Sequence, residues 1–168
     1  MRFHIEQPLP ASTEQVIDVL VDPEFLASLA ALPKLGEPEV LEQRTEDATL
    51  HQRVRYRFTG SLSSAVTAVV DPKKLVWVEE TTYDRETGTA AFRILPEHYA
   101  DRLKAGGTYR FVPTGSDTCT RVADGELTVR FRFVGKAVER AIVSGLEEHI
   151  RDEAALVARW LDDRRGAR

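Results

Sequence analysis

His149 and Glu153 lie four residues apart on a long amphipathic stretch that runs from Val134 to Asp163. At about 100° per residue both fall near the middle of its apolar side, within side-chain reach of each other. A histidine held by a carboxylate changes charge near neutral pH, so the pair suits proton transfer or the orienting of a ligand oxygen. It equally suits a buried pair that satisfies itself, or a pair at a cavity mouth in contact with water. Metal binding is not expected, because His149 lacks the second histidine of a metalloprotease helix and His4, His51 and His98 show no ligand spacing around it. Cys119 has no histidine beside it to raise its thiolate content. G-x-S-x-G, P-loop, G-x-G-x-x-G and EF-hand patterns do not occur, so neither nucleotide-driven chemistry nor a cofactor is expected.

A second set of residues rests on period-two segments. With the apolar register placed inward, Tyr56, Phe58, Trp77, Tyr83, Phe92, Tyr109, Phe111 and Phe131 share one face. Tyr and Trp combine an apolar body with a polar tip, as a pocket for a mainly apolar ligand requires. The same aromatics can equally fill a solid core. Gln52 and Glu79 fall in phase with them as polar guests. A one-residue slip exchanges every face, so alternation alone does not decide between Glu79 and Glu80. Arg53, Arg55 and Arg57 lie on the opposite face of one strand, with Arg110, Arg130 and Arg132 on two others. Such a face can meet an anionic partner, a protein or lipid head groups; cross-strand neutralisation by Glu42, Glu80 or Glu126 is the simpler outcome.

The elements that must position these groups follow from local pattern. Phe3 to Gln7 alternates as a strand and ends at Pro8 and Pro10. Ser12 with Gln15 forms a capping-box pattern ahead of a short helix, and Asp22-Pro23 starts a second one. Strands are then predicted over 39–44, 49–58, 75–83, 89–95, 108–112 and 120–133. Their turns are placed at 46–47, 71–72, 84–88, 106–107 and 115–117. Residues 60–70 are read as a further strand. Short strands joined by short turns favour an antiparallel meander. The closing helix reaches roughly 40 Å, enough to cross a small sheet. Its apolar side takes in residues 134, 138, 141, 142, 146, 150, 156, 157, 160 and 161. The fold class is α+β, with one domain over 1–163 and a frayed tail over 164–168.

This order of elements resembles the START-like or SRPBCC superfamily, the helix-grip fold of the birch-pollen allergen. Two stretches carry the likeness further: Leu75-Val76-Trp77-Val78-Glu79-Glu80, and Phe133-Val134-Gly135-Lys136-Ala137-Val138-Glu139 at the entry to the last helix. Both resemble a bacterial family within that superfamily, a domain of unknown function. The resemblance implies a seven-stranded antiparallel sheet wrapped around the long helix with a cavity between them. Members bind lipids, sterols, polyketides or other apolar molecules, some are cyclases, aromatases or dehydratases, and others bind proteins.

Composition sets outer limits. The 168 residues carry a formal charge of −4, with 23 Lys and Arg against 27 Asp and Glu, so net charge implies no nucleic-acid partner. One cysteine excludes an intrachain disulfide framework. No run approaches an apolar membrane span, and residues 1–12 lack the apolar region of a signal peptide, so a cytoplasmic location is expected. The leading functional expectation is binding or carrying of an apolar small molecule or lipid. Tyr56, Trp77, Glu79, Tyr83, Phe92, Tyr109, Phe111, His149 and Glu153 are its candidate contacts. The alternatives are a cyclase or dehydratase that uses His149 or a pocket tyrosine, and a protein-interaction module on the arginine-bearing face.

Overall fold

A computed structural model of the chain describes residues 1–166. The elements run β1 (Arg2–Leu9), α1 (Thr13–Leu20), α2 (Pro23–Ser28), β2 (Glu39–Glu46), β3 (Thr49–Arg57), α3 (Ser64–Thr67), β4 (Val76–Asp84), β5 (Thr89–Pro96), β6 (Leu103–Gly115), β7 (Thr118–Val129) and α4 (Gly135–Gly166). All strands join one antiparallel sheet in the order β1-β7-β6-β5-β4-β3-β2. The expected helix-grip fold is therefore the observed one: a meander from β2 to β7, closed by β1, with two short helices after the first strand.

Local chemistry accounts for the starts and turns. The Ser12 hydroxyl accepts from the Gln15 N–H, and the Gln15 side chain accepts from the Ser12 N–H. The Asp22 carboxylate accepts from the N–H groups of Glu24 and Phe25, with Pro23 at the first helical position where no donor is needed. Between β4 and β5 the Asp84 carboxylate accepts from Glu86 and Thr87, and Gly88 takes a φ of +63° that favours glycine. Helix α4 lies against β1 and β7.

Two apolar clusters hold the interior. One joins α1 and α2 to Leu50, Val54, Phe111, Cys119 and the helix residues Ala154 and Val157. The other joins Val66 and Val70 to Leu127, Val129, Phe131 and Val138. Along α4 the two are separated by the turns that carry His149 and Glu153.

Several expectations are corrected. Residues 60–70 form a loop with the one-turn helix α3, not a strand. Gly106 and Gly107 are not a turn but lie inside β6, opposite Glu126 and Gly125. A Cβ on Gly107 would stand 2.1 Å from the Asp124 carbonyl oxygen, so glycine here serves close strand approach, which in sequence is indistinguishable from a turn. β7 stops at Val129, and Phe133 sits beyond it at φ +69° and 92% exposed. Ala141 and Ile142 face outward, because the sheet covers a narrower stripe of α4 than the helical wheel allowed; Val143 packs inward instead. Of the expected tail, residues 164–166 continue α4, and Arg164 bonds to Asp22 and Glu24; 167–168 lie outside the described residues.

Candidate ligand-binding site

Strand pairing settles the inward register. Val54, Glu79 and Ile94 face one another across β3, β4 and β5, and so do Gln52, Thr81 and Phe92. Glu79 therefore points at the helix. Glu80 points away and lies within ion-pair distance of Arg53 at 3.0 Å and Arg93 at 2.5 Å.

Of the aromatic candidates, Tyr56 stacks on Trp77 with ring centroids 5.8 Å apart, and Phe92 stacks on Tyr109 at 4.5 Å. Phe92 pairs with Gly107 across β5 and β6. Tyr83 and Phe111 face the same interior but belong to the apolar cluster under α1, where both are buried. Phe131 lies in the other cluster, with Tyr99 against its ring edge. Phe58 leaves the sheet beyond β3, where its ring approaches Gly60.

The expected contact between His149 and Glu153 gives way to a different one. The Glu153 carboxylate pairs at 2.6 Å with Nη1 of Arg121, whose side chain is 5% exposed against 12% for Glu153. The guanidinium carbon of Arg121 stands 5.7 Å from the Tyr109 ring centroid. Nε and Nη2 of Arg121 are buried without hydrogen-bond partners, and so is Nδ1 of His149. Arg121 had a signal in sequence. It shares odd parity with the inward residues Cys119, Leu127 and Phe131, whereas Arg130 and Arg132 have even parity and are exposed.

Burial dominates the electrostatics. Desolvation, reinforced by the Glu153 charge, raises the Glu79 pKa to about 7, against the opposing effects of the Thr81 hydrogen bond and Arg121. Desolvation lowers the pKa of His149 despite Glu153 nearby, which favours the neutral imidazole. The hydroxyls of Tyr56 and Tyr109 are held well above the ordinary range by the same cause. Yet Tyr56, Trp77, Glu79, Tyr109, His149 and Glu153 each keep part of their accessible surface, unlike the closed clusters on either side. The arrangement offers a fixed cation with free donors, a carboxyl that exchanges its proton near neutrality, and two aromatic stacks.

The outer face reads differently. Arg53 also lies 3.7 Å from Glu42, Arg55 bonds to Glu39 and Glu97, and Arg110 bonds to Asp124. Cross-strand neutralisation is what the sheet displays at these three arginines. A shallow depression of about 520 Å³ on the sheet, lined by Arg2, His4, Gly107 and Asp124 among others, is likewise bordered by paired charges.

Residues 4–161 match the family model described as "Protein of unknown function (DUF2505)". This chain belongs to the DUF2505 family. Among curated proteins, none matches the DUF2505 chain. Solved structures similar to it include TTHA0849 from Thermus thermophilus, at 22% identity and TM-score 0.63, with 94% of each chain covered. Norcoclaurine synthase from Thalictrum flavum is similar at 19% identity and TM-score 0.64, over 96% of this chain and 86% of that one. The Zhui aromatase/cyclase from Streptomyces sp. R1128 is similar at 17% identity and TM-score 0.57, over 92% and 94%. At these identities the likeness shows the fold of the DUF2505 protein and no more. Both stretches that suggested the family have structural work in it. The first carries Trp77 and Glu79 inward, and the second turns β7 into α4, where the buried Glu139 carboxylate accepts from the Val129 N–H at 3.0 Å. Among the described residues no helix is long and apolar enough to cross a membrane.

Proposed function

We propose that this protein, a START-like domain, binds an apolar small molecule or lipid between its sheet and α4. The carrying observation is the interval between the two apolar clusters. There, inward-facing aromatics and charged groups keep accessible surface, and Nε and Nη2 of Arg121 and Nδ1 of His149 are buried without a hydrogen-bond partner. A solid core places few such groups inside and satisfies those it does place. Tyr56, Trp77, Glu79, Phe92, Tyr109, His149 and Glu153 are the contacts in this reading, with Tyr83 and Phe111 supporting them from the neighbouring cluster. Fold neighbours support it by analogy: norcoclaurine synthase from Thalictrum flavum has been solved with dopamine and hydroxybenzaldehyde. Native mass spectrometry of the purified protein tests it. A co-purified apolar ligand is expected; a clean ligand-free mass together with no thermal shift across lipid and aromatic panels overturns it.

A second reading rests on Glu79. A carboxyl whose pKa is about 7 is matched to general acid or base work at neutral pH, as a cyclase or dehydratase requires. Glu79→Gln then abolishes turnover of an aromatic or polyketide substrate while the fold persists, and His149→Ala weakens it; turnover unchanged in both variants removes the enzymatic reading. A protein partner on the arginine-bearing face has less support, since Arg53 and Arg55 already pair with carboxylates of the same sheet.

A further inference from the structure

Arg121 shows two different edges to the interior. Its Nη1 is taken by Glu153 at 2.6 Å, which fixes the guanidinium between β7 and α4. Its Nε and Nη2 are buried and unpartnered. In a planar guanidinium the Nε–H and one Nη2–H point the same way, forming a fork that matches the two oxygens of a carboxylate. No hydrogen-bonding group of the described residues pairs with that fork. The Glu79 carboxylate instead accepts from the Thr81 hydroxyl at 3.2 Å. His149 contributes a third unpartnered nitrogen from α4, and Tyr109 on β6 and Tyr83 on β4 are near enough to act electrostatically on Arg121. The aromatic surface closest to the guanidinium is the Tyr109 ring, 5.7 Å away and stacked on Phe92.

We propose that the Nε/Nη2 fork of Arg121 is the recognition element of the interior site and that its ligand is an aromatic carboxylic acid. The carboxylate lies on the fork and the ring against the Phe92–Tyr109 stack. This rests on the interior-binding reading above and adds the class of ligand to it. Charge supports the assignment. Arg121 and Glu153 cancel, and burial favours neutral His149 and, in mildly acidic solution, neutral Glu79, so an incoming carboxylate meets one fixed carboxylate rather than two.

The test is calorimetric titration with 2-naphthoic acid, 2-naphthamide and naphthalene in mildly acidic, low-salt buffer. The acid is expected to bind at least about tenfold tighter than the amide, the size of one added charge-assisted hydrogen bond. In the double variant Arg121→Gln/Glu153→Gln, which removes both charges together, that preference is expected to vanish while naphthalene binding persists. Equal binding of acid and amide by the wild-type protein overturns carboxylate recognition and leaves interior binding standing. If none of the three binds, the proposal falls, and the native mass spectrum decides interior binding separately. If the double variant does not fold, the Arg121 Nε–H resonance of the wild-type protein carries the decision. It is expected to shift on adding 2-naphthoate, and an unmoved resonance overturns the proposal.

Discussion

Arg121 on β7 and Glu153 on α4 meet at 2.6 Å, two nearly buried charges that tie the sheet to the helix across the interior. A pair of this kind is sensitive to losing one partner, because the survivor stays buried without its counter-charge.

Glu153→Ala and Arg121→Ala are each expected to cost about 3–5 kcal/mol of stability in urea unfolding. Arg121→Met combined with Glu153→Leu is expected to recover most of that loss, since neither charge is then stranded. A double variant no more stable than either single one would show that the pair is not the source of the cost.

Glu79 makes stability depend on pH with a defined sign. Its carboxyl holds its proton up to about pH 7 in the fold, against an ordinary value of 4.5 when unfolded. Below the unfolded value both states are protonated and nothing is lost. Between there and neutrality the unfolded chain releases its proton while the folded chain retains it, so stability falls as pH rises, by about 3 kcal/mol in all. Unfolding free energies measured across that window in wild type and Glu79→Gln check this: the decline is expected in the first and much reduced in the second.

The β7–α4 junction depends on two residues of the Phe133–Glu139 stretch. A Cβ on Gly135 would stand 2.6 Å from the Val129 carbonyl oxygen, and the Glu139 carboxylate accepts from the Val129 N–H and from Lys136, each at 3.0 Å. Glu139→Ala is expected to cost about 1–3 kcal/mol by leaving a buried donor unpaired. Gly135→Ala is expected to lower the melting temperature as well, by displacing the first turn of α4. Melting curves read both.

The outer sheet face is expected to respond to salt. Arg55→Glu places a third acidic group beside Glu39 and Glu97. Its melting temperature is expected to fall at low ionic strength and to approach that of the wild type in high salt, because exposed charges are screened within about 10 Å at 0.1 M.

The short helices and the turns at 46–47 and 84–88 were legible because each is decided within a few residues by a cap, a proline or a positive-φ position. The inward register was legible too, since alternation over seven strands repeats the same choice, although Glu79 and Glu80 could not be separated until pairing set Glu79 opposite Val54. Gly106 and Gly107 read as a turn because glycine signals permissive backbone in either setting; only the approach of Asp124 assigns them to a strand.

The candidate site divides along the same line. Residue spacing brought His149 and Glu153 onto one helical face, which is local geometry and needs no fold. It did not supply the partner, because Glu153 finds Arg121 thirty-two positions earlier on β7, and the way α4 folds back across that strand is set by the packing of the whole sheet rather than by local period. Sequence alone thus determined which residues share a face, a matter of period. Tertiary packing decided which of them meet and which stay unpaired, because that depends on how β7 and α4 dock.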